Sequence, residues 1–186
     1  MFRKELVVTV RRKDGKVETR RVVVGGAGGG DLVTTWGFRL ICCLFADVAR
    51  GGGVSMGFVD LDGRSGSFDC IGGDSRVFLG SGCVDRGPYI GFGSSNIAPS
   101  RSDYRLISEV GRVRGFTVAD GTAFTCSIGG FWTPDSGVTV CEVGLYMLVC
   151  DSDGVARYVL FDRSVLDPCV SVGAGETISV AYAFRF

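Results

Sequence analysis

A chain of 186 residues, 46% of them apolar, is long enough for one domain with a substantial core, which excludes wholesale disorder. Twenty Lys and Arg balance twenty Asp and Glu, so no global positive field marks a dedicated nucleic-acid binder. The complete absence of His removes Ser-His-Asp and Cys-His catalysis and the commonest zinc ligand.

The first residues, MFRKELVVTVRRKDGK, lack the apolar core of a secretory signal. No uncharged run approaches the roughly 20 apolar residues that span a bilayer. The stretch ELVVTVRRKDGKVETRRVVV predicts two strands around Asp14-Gly15, a strong hairpin signal. A lone hairpin is marginal in water, and GGAGGG follows it as a flexible spacer. The expected organisation is a β-hairpin arm over 1–24, a hinge over 25–30 and a β-sandwich domain over 31–186. The arm is expected to reach a neighbouring subunit; folding back onto its own sandwich is the alternative. Next, DLVTTWGFRLICCLFADVARGGG predicts one helix over 34–49, capped by Thr34 or Thr35 and stopped by the glycines at 51–53.

Everything beyond reads as β. Short apolar runs (VSMGFVDL, RVFLG, PYIGFG) alternate with Gly, Ser and Asp, and from residue 112 the strands become denser. In TISVAYAFRF, Ile178, Val180, Tyr182, Phe184 and Phe186 share one face, as in an antiparallel sheet buried on one side. Asp153-Gly154 predicts a hairpin joining strands around 141–150 and 155–161. The fold class is therefore mostly β: an antiparallel, jelly-roll-like sandwich with one short helix. The segment GFGSSN does not make a dinucleotide loop. It lacks the third glycine of the fingerprint, runs toward Pro99 and has no βαβ alternation around it. Its glycines are expected to permit a bend or bulge.

Eight cysteines (42, 43, 70, 83, 126, 141, 150 and 169) are scattered with no C-x-x-C pair, which suits disulfides or buried thiols better than a metal cluster. A disulfide is expected among strands carrying Cys126, Cys141, Cys150 or Cys169. Gln is absent and Asn96 is the single Asn, while Arg outnumbers Lys; amide depletion is a hyperthermophile trait, and a high-GC genome also favours Arg and Gly. Two D-x-D-G stretches, with Asp60 and Asp62 and with Asp151 and Asp153, are candidate calcium ligands. Neither continues into the Glu of an EF-hand loop, and Asp-Gly is equally an ordinary hairpin turn. Glu142 stands in an apolar strand and needs a partner if buried; Arg163 is the candidate. Trp132, in GGFWTPDSG, is either a sugar-stacking aromatic or a packed core residue. No catalytic or cofactor-binding residue is identified.

The order of YIGFGSSNIAPSRSDYRL, VCEVGLY and YVLFDRSVLDPCVSVGAGETISVAYAFRF resembles a loose family of virion proteins from tailed bacteriophages and archaeal viruses. The residues carrying the likeness are Gly91, Gly93, Asp103, Leu106, Glu142, Gly144, Leu145, Phe161, Arg163, Pro168, Gly175, Glu176 and Thr177, and it spans most of 31–186. The resemblance implies a non-enzymatic, jelly-roll-like subunit of a tail, fibre, spike or capsid coat, located in the virion and assembled in the host cytoplasm. Its implied partners are copies of itself and other virion proteins, with no cofactor, nucleic acid or membrane. Alternatives are a carbohydrate-binding module for a host-surface glycan and a tube or filament subunit of a hyperthermophile.

Overall fold

The computed structural model describes residues 3–24, 31–35, 37, 54–70, 87–120, 125–151 and 153–185. They form twelve strands: β1 Arg3–Arg11, β2 Val17–Val24, β3 Asp31–Val33, β4 Val54–Val59, β5 Ser65–Cys70, β6 Gly87–Gly93, β7 Glu109–Arg114, β8 Phe116–Asp120, β9 Thr125–Trp132, β10 Val138–Cys150, β11 Ala156–Val172 and β12 Thr177–Arg185. Sheet A has the order β2-β1-β12-β9-β8, sheet B the order β3-β11-β10-β6-β7, and β4 and β5 form a separate hairpin. Every pairing is antiparallel.

The sheets face each other because period-2 alternation sends one apolar row inward from each strand. Leu6, Val8 and Val10 of β1 and Ile178, Val180, Tyr182 and Phe184 of β12 meet Ile90, Phe92, Val143, Leu145, Leu166 and Val170 of sheet B in one core. The chain changes sheet at Gly115, whose N–H donates to Pro88 O at 2.8 Å and whose missing Cβ leaves room for the Gly129 carbonyl.

The Asp14-Gly15 hairpin forms as expected, with Gly15 at φ 84° and the Asp14 carboxylate accepting the Lys16 N–H at 2.9 Å. Within the chain it takes the alternative place, folded back onto its own sandwich. β1 pairs with β12 over nine residues, from Arg3↔Arg185 to Arg11↔Thr177, and lies inside sheet A rather than leaving the domain. The cause is legible in retrospect: Leu6, Val8 and Val10 alternate strictly and fill core positions of this chain. Thr34 accepts the Gly37 N–H at 3.0 Å, the hydrogen bond of a helix N-cap. The body of the expected helix, the strand expected at RVFLG and Phe186 lie outside the described residues.

Candidate functional site

The outer face of sheet B carries the densest polar cluster. Arg163 on β11 is fully buried, and its Nε donates to Glu142 Oε2 on β10 at 2.7 Å. Its Nη1 donates to Asp103 Oδ2 at 2.9 Å and to Ala98 O at 3.3 Å, and its Nη2 to Ile97 O at 2.9 Å. Glu142 also accepts the N–H of Ser108 at 2.8 Å and of Ile107 at 3.3 Å. Asp103 in turn accepts the Ser100 N–H at 2.8 Å. One ion pair thus holds both ends of the 94–108 segment that links β6 to β7. Two buried charges are tolerable only when their hydrogen-bonding capacity is met, and here each is met by the other and by the loop backbone.

The glycines of the GFGSSN stretch, with Gly144, make the space. A Cβ on Gly93 would collide with the Glu142 carboxylate, and one on Gly91 would lie 2.8 Å from the Tyr146 ring. One on Gly144 would lie 2.9 Å from Leu106. The expected irregularity is present as a register shift between Phe92 and Gly93 where β6 meets β7. Tyr146 accepts the Leu106 N–H at 2.9 Å and donates to Glu109 at 3.1 Å. Burial, reinforced by the Glu109 charge, holds its phenol well above the ordinary pKa, so it stays a donor. Arg112 lies over the rings of Tyr146 and Tyr158, at 4.9 and 4.8 Å, and pairs with Glu109 at 2.7 Å.

The two D-x-D-G turns are brought together by a residue that sequence reasoning missed. Asp60 Oδ1 accepts the N–H of Asp62 and Arg64 at 3.0 and 2.8 Å; Asp151 Oδ1 accepts the N–H of Asp153 and Val155 at 3.0 and 2.7 Å. The second oxygen of each faces Arg157, which donates from Nη1 to Asp60 at 3.0 Å and from Nε to Asp151 at 2.9 Å. Both are Asx turns stapled by a shared guanidinium, which occupies the side that a cation would need. Burial alone would raise the Asp151 pKa, but the Val155 N–H and Arg157 outweigh it and the carboxyl titrates below its ordinary value. Asp62 and Asp153 point away, exposed. Among the described residues no three metal-binding side chains converge.

The other residues of the likeness are dispersed. Glu176 accepts the Gly173 N–H at 2.7 Å and pairs with Arg12 at 2.8 Å, pinning the turn before β12 to the N-terminal hairpin. Gly175 takes φ 71° in that turn, and Thr177 opens β12. Phe161 rests edge-on against Phe184 in the core, and Pro168 O accepts Arg20 at 2.6 Å. Trp132 is half-buried and stacked on Phe92 at 5.2 Å, a packing residue rather than a sugar platform. Cys141 and Cys169 form a disulfide beside the bulge between β10 and β11; Cys150 is also disulfide-bonded, and Cys126 is a free thiol.

Neither protein-family models nor curated proteins nor solved structures give a match to this chain. Cation, carboxylates and glycines close on one another here and hold loops.

The outer face of sheet A is the contrary case. Phe131, Val118 and Phe116 are 65, 58 and 52% exposed. The register sets them in rows with Ser127, Gly129, Ser179, Ala181 and Ala183, all small.

Proposed function

We propose that this chain is a non-enzymatic structural subunit of a virus particle, of the tail, fibre, spike or capsid-coat kind, repeated as a symmetric homo-oligomer. The observation that carries the reading is the convergence of Gly91, Gly93, Asp103, Leu106, Glu142, Gly144 and Arg163 in and around one buried clamp. These residues carry the likeness to virion proteins, and here they serve architecture, as a particle subunit of jelly-roll type requires.

The contact surface we propose is β8 with the bare face beside it. Of the four edges of sheets A and B, β3 is three residues long, β2 carries Arg20 and Arg21, and β7 carries Glu109, Arg112 and Arg114. Among the described edges of these two sheets, β8, FTVAD, carries exposed Phe116 and Val118 and no cation, and charged or very short edges are how sheets avoid pairing. A second copy pairing antiparallel through Val118 extends sheet A across the subunit boundary. Other virion proteins are the further partners. Electron microscopy and light scattering of the purified protein test the reading: rings, tubes or shells are expected, and a monomer at high concentration overturns it. A second reading, a module for host-surface glycans, rests on exposed Phe131; binding to an array of glycans by a stable monomer would favour it over the first.

A further inference from the structure

β1 and β11 belong to opposite sheets, and a buried polar contact joins them across the core. Lys4 takes the inward register of β1, in series with Leu6, Val8 and Val10, and its Nζ is in direct contact with Oδ2 of Asp162 on β11. Both side chains are buried. Apolar residues flank the pair: Lys4 is cross-strand from Phe184 and Asp162 from Leu145, and the ammonium lies 5.5 Å from the centre of the Tyr182 ring. The other oxygen of Asp162 accepts the Ser164 hydroxyl at 3.0 Å.

An ion pair in such a place bears the desolvation of two charges, and a neutral link does not. The contact also holds the amine beside the carboxyl group, and such proximity lowers the entropic barrier to their joining. We propose that Lys4 and Asp162 condense into an intramolecular amide, an isopeptide cross-link between the two sheets. One proton passes from the ammonium to the carboxylate, giving a neutral amine and a carboxylic acid, an exchange that a low-dielectric interior makes less costly than water does. Nζ then attacks Cγ. The new C–N bond forms, the Cγ–Oδ2 bond breaks, and Oδ2 leaves as water with the proton it received and one from nitrogen. The Ser164 hydroxyl stabilises Oδ1, where negative charge develops in the tetrahedral intermediate. The reaction consumes no oxidant and needs no cofactor.

The bond would close a loop between residues 158 positions apart and fasten the first strand, held otherwise by sheet pairing and packing, to the opposite sheet. It does not depend on the virion reading.

Mass spectrometry of the full-length protein, reduced and denatured, decides it, both fresh and after prolonged warm incubation in the folded state. The expected mass is one water below that of the sequence, while Lys4→Arg and Asp162→Ala proteins keep their full sequence masses. Tryptic digestion should yield a branched peptide joining residues 4–11 to residues 158–163. A wild-type protein at full mass in both samples overturns the proposal. So does a water loss with both of those peptides linear, which would mark a cyclic imide elsewhere. The wild-type measurement suffices even if a variant fails to fold.

Discussion

On the outer face of sheet B, Glu142, Arg163, Tyr146 and Leu160 lie under the 94–108 segment and the turn between β4 and β5, where the Leu61 N–H donates to Tyr158 O at 3.0 Å. On the outer face of sheet A, Phe116, Val118 and Phe131 stand in solvent among serines, alanines and glycine. The first face buries charge, and the β8–β9 end of the second exposes apolar side chains. The sequence features that look most like chemistry sit on the closed face and serve to close it. The surface free to meet a partner bears no motif at all.

The largest effect should come from opening the closed face. Arg163→Ala strands Glu142 in the interior without its cation, which costs about 3–5 kcal/mol. At about 2–4 °C per kcal/mol for a chain of this size, the melting temperature should fall by roughly 6–20 °C. Hydrogen exchange should show lost protection at the Ile107 and Ser108 amides, which Glu142 accepts. A melting temperature unchanged to within a degree would mean that the loop is held by something else.

The disulfide in the same sheet ranks next. Cys141 and Cys169 are 28 positions apart, and closing such a loop is worth about 3–4 kcal/mol in the chain-entropy account. The Cys141→Ala, Cys169→Ala double variant should lose about that much in denaturant titration.

Third is Gly91→Ala. Its Cβ meets the Tyr146 ring at 2.8 Å, and that ring is held by bonds to Leu106 and Glu109, so it cannot step aside. Overpacking of this kind costs about 1–3 kcal/mol. Equal stability of variant and wild type would show the ring to be mobile.

How much of this was legible depends on the range of the signal. The Asp14-Gly15 and Asp153-Gly154 hairpins and the alternating face of β12 are local patterns, and all were readable. Glu142 with Arg163 was readable too, because a lone carboxylate in an apolar strand demands a cation. Arg157 was not: the chain between Asp60 and Asp151 says nothing of two turns meeting at one guanidinium. Lys4 could have been found. It occupies an inward position in series with three core residues, so the alternation that buries Val8 also buries its ammonium. The hairpin's place in its own sheet was only the second of two readings for a related reason: the glycine run after it suggested detachment, while its own alternation called for a core.

Acid should weaken the fold through carboxylates at and beside its turns. Asp151, Glu18 and Glu176 all titrate below their ordinary values: Asp151 because its N–H bonds and Arg157 outweigh burial, Glu18 chiefly through Arg12, and Glu176 chiefly through the Gly173 N–H. A lowered folded pKa means that the unfolded chain binds the proton more tightly. The stability these groups supply is therefore complete above their unfolded values, near 3.8 for Asp151 and 4.5 for the glutamates, and is lost as pH falls through the folded ones. Below about pH 4 the melting temperature should drop, and Asp151→Asn should make that drop shallower. An identical acid limb in the variant would remove Asp151 from the account.

The smallest effect on stability is expected on the bare face, and it is the most informative about assembly. Val118 is cross-strand from Ser127 and has no described neighbour on its other side, because β8 ends the sheet. Val118→Lys removes little buried area and should change stability by no more than about 0.5 kcal/mol. The same lysine places a charge on the edge by which we propose a second copy adds, and lysine is the residue that natural edges use to refuse a partner. Assembly should be lost at an unchanged melting temperature of the dissociated subunit, read by light scattering beside calorimetry. Particles that form as before would exclude the β8 edge as the contact. A variant that unfolds would show instead that this face is packed against part of the chain, and the contrast between the two faces would no longer hold.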